Sequence, residues 1–514
     1  DHHFLLGHLL NQARSGNPIE PYLAWTRKWP DEPFIKFTGF GNADCLLINS
    51  LEAYREIFQT KSYSFVKARF NTRVIVQITG TGMAFAEGEA HKSQRKLLAP
   101  QFALSNVKRA IPLFRSKGKE LVEHLNARIK AHDGVTDVSS AYGRVTLDIV
   151  AWFTLGIDLG STLSTSVFHE AYHIMFDPSA FGAFLMVLNA YVPGTRLLPF
   201  RENREFNACS HAVRSRLKEI IQQRVREIDS GDITTTTGTT GSGSDPSSGF
   251  TTTTGTTGTG TGSGTSSEKP DLLTHMILES RALGDPWSEA KILENAMNVL
   301  VAGHETSATT LTWATHTFTL HPHIQDRARR EVLDLLARKP DPDYLDLDGL
   351  RYLDNVVKET LRFYAPGVLA AREPADDGGG GGGVEVCGTV LPGGTLCYLF
   401  PALVTRSARI WGDDVDDFNP DRWDHLEGEG EGEAAAAAAF NPHAFATFLV
   451  GPRQCIGKVF ALLEIKVLLV EMLSNFVFEA AVDPADIVLV NPSPVLRPQG
   501  GLKVRVRPLR GTDV

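Results

Sequence analysis

Cys455 stands in F-L-V-G-P-R-Q-C-I-G (448–457), directly ahead of the helical pattern A-L-L-E-I-K-V-L-L-V-E-M-L. A Gly/Pro-bent loop that delivers a sulfur to the mouth of a helix places it beside free backbone N–H groups and the positive end of the helix dipole. Both stabilise a thiolate. Gly451 lets the backbone pass close to a flat ring where a Cβ would clash, and Gly457 leaves room for the ring edge. Arg453 carries a guanidinium suited to a carboxylate such as a haem propionate. With Phe448 opening the loop, this set suits ligation of a haem iron by Cys455. A thiolate ligand pushes electron density onto iron and favours O–O cleavage, so the chemistry indicated is oxygen activation rather than oxygen carriage. The plain alternative is a buried structural cysteine.

A second set is A-G-H-E-T (302–306), inside a helical stretch from about 288 to 321. Ala302 and Gly303 are small, so a diatomic ligand can come close to the helix backbone. Thr306 can donate a hydrogen bond to oxygen held at the iron, and Glu305 can pass protons inward from solvent. The alternative is a packing notch beside a threonine that bonds its own helical turn. A zinc-protease reading fails, because His304-Glu305 begins H-E-x-x-H but position 308 is alanine. Glu359 and Arg362, in K-E-T-L-R, share one helix face. Spacing of that kind usually marks an exposed ion pair. His91 and Arg95, in G-E-A-H-K-S-Q-R-K-L-L, are four apart on another helix.

The spacing F-x-x-G-x-R-x-C-x-G closely resembles the haem-binding signature of the cytochrome P450 family of haem-thiolate monooxygenases. The A-G-H-E-T segment resembles the family's oxygen-activation motif. L-D-N-V-V-K-E-T-L-R-F-Y-A-P resembles its E-x-x-R helix, in which the pair locks with a later arginine, here Arg422 in F-N-P-D-R-W. The resemblance assigns Glu359, Arg362 and Arg422 to structure and haem retention. It makes His91 and Arg95 the counterpart of the propionate helix, and Arg372 a further propionate arginine. It implies a mainly α fold with a small β-rich lobe, a single haem-containing catalytic domain over 1–514, and haem b with Cys455 as axial thiolate. It implies electrons from NADPH through a cytochrome P450 reductase, with cytochrome b5 as a further candidate donor.

The elements that must position these residues are legible in outline. Residues 34–49 read as two strands and a turn, with a helix from about Ser50. Helical patterns run on to about 228, and the tail G-L-K-V-R-V-R-P-L alternates as a strand does. Three stretches interrupt the scaffold. Residues 230–267 are nearly all Thr, Gly and Ser, a composition that buries no core and is expected to be a disordered insertion. A glycine run (378–383) and an E-G/Ala-rich stretch (427–439) are expected to be surface loop expansions.

The chain has 514 residues, 42% of them hydrophobic, and a net charge of -9, which gives no case for nucleic-acid binding. Its five cysteines are odd in number and widely spaced, not a disulfide framework. Cys45 and Cys397 lie in strand-like runs and read as core filler. The apolar opening F-L-L-G-H-L-L is far too short to cross a bilayer. It resembles the start of the globular part of microsomal members, so a membrane anchor is expected to precede it. The texture is similar to that of enzymes of filamentous fungi. The location implied is the endoplasmic reticulum membrane, with the catalytic domain facing the cytosol.

The activity implied is oxygen insertion into a lipophilic small molecule, by hydroxylation or epoxidation, in fungal secondary metabolism. Xenobiotic or fatty-acid hydroxylation stands behind it. A haem-thiolate isomerase, dehydratase or peroxygenase is a rival, against which the Glu305-Thr306 pair argues; a non-enzymatic haem sensor or carrier, which would need neither an open distal groove nor a reductase, is the other. Candidate substrate-lining positions are 72–85, 181–188, Val299, Ala302, 368–371 and 494–496.

Overall fold

The computed structural model describes residues 7–8, 12, 14–39, 43–131, 134–164, 166–176, 178–192, 194–236, 251–254, 271–375, 383–427, 441–491 and 493–510. The strands in chain order are β1 (Phe34–Thr38), β2 (Asp44–Ile48), β3 (Phe65–Lys67), β4 (Val135–Asp137), β5 (Ile233–Thr236), β6 (Thr251–Thr254), β7 (Ala370–Pro374), β8 (Val384–Val386), β9 (Thr389–Leu391), β10 (Leu396–Leu399), β11 (Phe476–Ala480) and β12 (Lys503–Pro508). Helices make up most of the rest, and the chain divides into two compact units.

The first unit comprises Asp1–Thr72, Val107–Thr146 and Gly303–Val514. Its larger sheet has the order β1-β2-β10-β7-β3. On β1 the side chains alternate: Ile35 and Phe37 are buried, while Lys36 points out and pairs with Asp44 at 2.9 Å. Cys45 and Cys397 sit on neighbouring strands, both buried in the core as expected. Ser50 then caps a helix by accepting from the Ala53 N–H. The smaller sheet has the order β11-β12-β4. Val504 and Val506 turn inward from β12 while Lys503 and Arg505 stay exposed, as the alternating tail implied.

The helix Lys458–Asn475, which follows Cys455, is buried on all sides from Leu463 to Leu473. A helix that is apolar all round belongs in the middle of a bundle. The helices Ile111–Ala131 and Pro322–Arg338 pack against it, with Phe114 edge-on to Phe460 at 5.1 Å. The helix Arg351–Phe363 is amphipathic and buries Leu353, Val356, Val357 and Leu361 on the same core.

The second unit, Arg73–Asn106 and Leu147–Ala302, is helical apart from β5 and β6. His275 bonds the Leu97 carbonyl at 2.8 Å, and the buried Asp148 accepts from the Ser161 and Thr162 N–H groups at 2.8 Å each. Within 230–267, β5 and β6 form an antiparallel ribbon, in keeping with the preference of β-branched threonine for extended backbone. The remainder of 230–267 beyond 236, other than 251–254, lies outside the described residues, as do 378–382 and 428–439 of the other two expansions. Among the described residues no single helix is long and apolar enough to cross a membrane. The pair Phe168–Phe176 and Ala180–Tyr191 reaches that composition together but is bent by 80°.

Candidate active site

The cysteine loop is built by short-range geometry. Between the helical turns Ala446–Phe448 and Gly451–Arg453, Leu449 has a positive φ of 56°, and Gly451, which opens the second turn, has one of 73°. The bend is closed by the Cys455 N–H, which donates to the Phe448 carbonyl at 2.9 Å. Gly457 then caps the buried helix, its carbonyl accepting from Ala461 at 2.8 Å. Cys455 is therefore held two residues ahead of that cap, and its side chain is exposed.

The two glycines have different jobs. A Cβ on Gly451 would strike the Phe58 carbonyl oxygen and stand 2.7 Å from the Gln59 Cα. The close approach seen at Gly451 is to the protein's own π-helical turn, Glu56–Thr60. A Cβ on Gly457 would meet only the Cys455 sulfur, at 4.0 Å, so glycine there keeps the space beside the sulfur clear.

The other four cysteines are poor thiolates. Burial pushes Cys45 up to about 11 and Cys397 up to about 12. Burial also raises Cys209 and Cys387, helped by Glu205 and by Glu56 respectively. Cys387 forms a small group with Glu52 and Glu56, but Glu56 is engaged by Lys61 at 2.7 Å, and carboxylates oppose a second negative charge on sulfur.

Two expected anion-binding arginines converge near the same turn. Arg372, buried on β7, lies over the Phe58 ring at 4.8 Å and donates to the Ala371 carbonyl at 2.9 Å. Arg453, also buried, lies 5.2 Å from the Tyr63 ring. Gly451, Arg372 and Arg453 are thus gathered on residues 58–63. His91 and Arg95 belong to the second unit, where the helix Gly88–Leu98 buries His91 and half-buries Arg95.

The long helix runs Glu289–Leu320. Residues 307–318 are all buried, but Ala302 is exposed and Gly303, Glu305 and Thr306 are half-buried. The break in burial coincides with the A-G-H-E-T motif. The Thr306 carbonyl accepts from the Thr310 hydroxyl at 2.8 Å, and the His304 carbonyl from the Thr146 hydroxyl at 3.0 Å.

Glu305 is ion-paired with Arg497 at 3.0 Å, both side chains mostly buried. Arg497 escaped the sequence reading, which stopped at 496. Its segment is pinned from two sides, since the Leu496 carbonyl accepts from Trp313 Nε1 at 2.6 Å and the Leu496 N–H donates to Pro366 at 2.9 Å. Only its neighbour Leu496, a candidate lining residue, offered a signal.

Glu359 and Arg362 form a fully buried bidentate pair at 2.8 Å. Arg362 also donates to the Thr405, Val415 and Asp417 carbonyls at 3.0, 2.9 and 3.1 Å. Glu359 accepts from the Asn419 N–H at 2.9 Å and Trp423 Nε1 at 3.0 Å, with Arg422 Nε at 3.5 Å. From here a short path leads to the cysteine loop. Trp423 meets Phe445 edge-on at 5.2 Å, Phe445 meets Phe448 at 6.2 Å, and the Thr447 hydroxyl donates to the Leu361 carbonyl at 2.9 Å.

Residues 1–506 match the family described as Cytochrome P450. The chain belongs to the cytochrome P450 family. It is 29% identical to cytochrome P450 monooxygenase FUM15 of Gibberella moniliformis, covering 95% of this chain and 84% of that protein. It is 27% identical to cytochrome P450 monooxygenase sphH of Aspergillus fumigatus, covering 95% and 83%. A plant relative, cytochrome P450 734A5 of Oryza sativa subsp. japonica, is 29% identical over 91% and 78%. Cytochromes P450 are haem-thiolate oxidoreductases, and this membership makes the chain a monooxygenase-family enzyme. Along 181–188, Leu185 and Met186 are buried while Phe181, Phe184 and Val187 are exposed, because a helix presents those positions to opposite sides.

Proposed function

We propose that Cys455 is the axial thiolate of haem b, and that the enzyme inserts one oxygen atom of dioxygen into a lipophilic small molecule. The observation that carries this is the loop that holds Cys455 exposed at the head of a buried helix while the other four cysteines are kept as thiols by burial or acidic neighbours. The fit to haem rests on Gly457, which leaves the space beside the sulfur without a side chain, and on the two buried guanidiniums of Arg453 and Arg372 by residues 58–63. These two arginines would bind propionates, with His91 and Arg95 as further propionate ligands. When bound, the haem supplies the oxygen chemistry.

The protein's own residues then orient substrate and manage protons. Thr306 donates a hydrogen bond on the oxygen side, beside the small residues Ala302 and Gly303. Glu305 carries protons to it, and the ion pair with Arg497 holds that carboxylate in place. An acid next to an alcohol favours oxygen activation over isomerase or dehydratase chemistry. Glu359, Arg362 and Arg422 hold the core under the loop.

Electrons come from NADPH through a cytochrome P450 reductase, with cytochrome b5 as a second donor. The fungal relatives support a tailoring step in secondary metabolism, with xenobiotic or fatty-acid hydroxylation as the alternative. An endoplasmic reticulum membrane location is supported by an exposed apolar patch in the second unit. Phe181 stacks with Phe184 at 6.3 Å and meets Phe200 edge-on at 5.2 Å, and Leu197 nearby is 86% exposed.

The test is spectroscopic. The reduced, carbon monoxide-bound protein should show the strongly red-shifted band of thiolate ligation. Cys455→Ser should abolish that band and Cys387→Ser should keep it; the reverse pattern would move the ligand to Cys387.

A further inference from the structure

The helix that follows Cys455 is apolar nearly throughout, yet three charged residues lie buried on it, and each reaches a different neighbour. Lys466 pairs with Asp354 at 2.8 Å on the helix Arg351–Phe363. Glu471 meets Arg115 at 3.5 Å on the helix Ile111–Ala131. The third, Glu464, has no cationic partner among the described residues. Its side chain is fully buried, Oε2 accepts from the Ser307 hydroxyl at 2.7 Å, and Oε1 has no hydrogen-bond partner among them. Ser307 is the residue after Thr306 and opens the fully buried part of the long helix.

A carboxyl in such a place is expensive. Leu463, Ile465, Val467 and Leu468 beside it on the helix are almost wholly buried, a setting in which an apolar side chain such as methionine would carry no polar penalty. Burial raises the Glu464 carboxyl to about 8, so it carries its proton at neutral pH and spares the core a naked charge. What the carboxyl contributes in return is direction. Apolar contacts between two helices tolerate small slides, whereas a buried hydrogen bond at 2.7 Å fixes one residue of each helix against the other.

We propose that Glu464 is a positioning residue: its buried hydrogen bond to Ser307 registers the oxygen-side helix against the cysteine-side helix and so sets where Thr306 stands relative to Cys455. This rests on the roles of Cys455 and Thr306 given under Proposed function. Glu464 touches no reacting atom. It acts through Ser307.

The test uses the haem-loaded full chain and four variants, Glu464→Gln, Glu464→Met, Ser307→Ala and the Glu464→Met/Ser307→Ala double. The protein is reduced with dithionite and mixed with oxygenated buffer, and the reoxidation rate is followed in the haem absorption band, so neither substrate nor reductase is needed. The carbon monoxide spectrum of each variant is recorded alongside. Glu464→Met and Ser307→Ala are each expected to change the reoxidation rate by about tenfold, since small misplacements of a reacting group are felt strongly. The double variant should be no worse than either single, because all three break one bond. Glu464→Gln keeps an acceptor for Ser307 and should react at the parental rate.

Parental rates in Glu464→Met and Ser307→Ala overturn the proposal, and so do additive effects in the double variant or a Glu464→Gln as impaired as Glu464→Met. A red-shifted carbon monoxide band in all four variants shows that thiolate ligation is intact, so a failure of the positioning role is read separately from a failure of the Cys455 assignment, which Cys455→Ser tests.

Discussion

Two carboxyls one turn of logic apart are treated oppositely. Glu305 is held against Arg497 at 3.0 Å, whereas Glu464 is kept neutral by burial. Arg497→Gln takes away the cation paired with Glu305 and should lower turnover of a lipophilic probe substrate, driven by NADPH and reductase, several-fold, while Arg497→Lys should keep most of it. Parental turnover in Arg497→Gln would detach Arg497 from the proposed part of Glu305 in the site. For Glu464 the sign follows from its raised affinity. The folded protein holds the proton well above the ordinary carboxyl value of 4.5, and the unfolded chain does not. The stabilisation from this neutral carboxyl is complete at low pH and drains away as pH rises through about 8. Melting temperatures should therefore fall more steeply between about pH 5 and about pH 8 in the parent than in Glu464→Gln. Parallel curves would mean that the carboxyl is not buried as described.

At the level of elements, the helix Arg351–Phe363 and the cysteine loop are coupled by hydrogen bonds rather than by apolar packing alone. Glu359 receives Arg362, Trp423, Asn419 and Arg422, and the Thr447 hydroxyl reaches the Leu361 carbonyl from the loop itself. Removing Glu359 strands a fully buried guanidinium. Glu359→Ala should cost about 3–5 kcal/mol, the usual penalty for breaking a buried pair. Haem should be lost along with the melting transition, as read by the absorption band per mole of protein. A stable, haem-replete but inactive Glu359→Ala would instead give the residue a direct part in the chemistry. The glycine at 451 belongs to the same scale. Its positive φ and its contact with Phe58 and Gln59 seat the loop on the turn that also carries Phe58 beneath Arg372.

For the whole molecule, the balance of surface matters more than any single contact. A net charge of -9 keeps the protein away from polyanions, yet Phe181, Phe184, Leu197 and Phe200 are exposed in one region of the second unit. Exposed aromatic and aliphatic side chains of this density suit the interfacial layer of a bilayer. Phe184→Ser with Leu197→Ser should lower co-sedimentation with phosphatidylcholine vesicles several-fold while leaving the melting temperature within a degree or two. Equal sedimentation would assign the patch elsewhere.

The sequence alone determined the cysteine loop, the A-G-H-E-T helix and the Glu359–Arg362 spacing, because each is a short-range pattern. Residues within about ten positions of one another suffice to bend a loop, present a helix face or place a pair at i and i+3. It also determined the strands at 34–38, 44–48 and 503–508, whose alternation is local. Only the tertiary structure decided the rest. Arg497 is 192 residues from its partner Glu305, and Glu464 is 157 from Ser307, separations at which no periodicity carries a signal. Gly451 needed its neighbours Phe58 and Gln59 before its role could be read, and the cysteines sorted into thiols and one exposed sulfur only once burial was known. Burial and long-range pairing depend on which elements meet, and that is settled by packing over the whole chain.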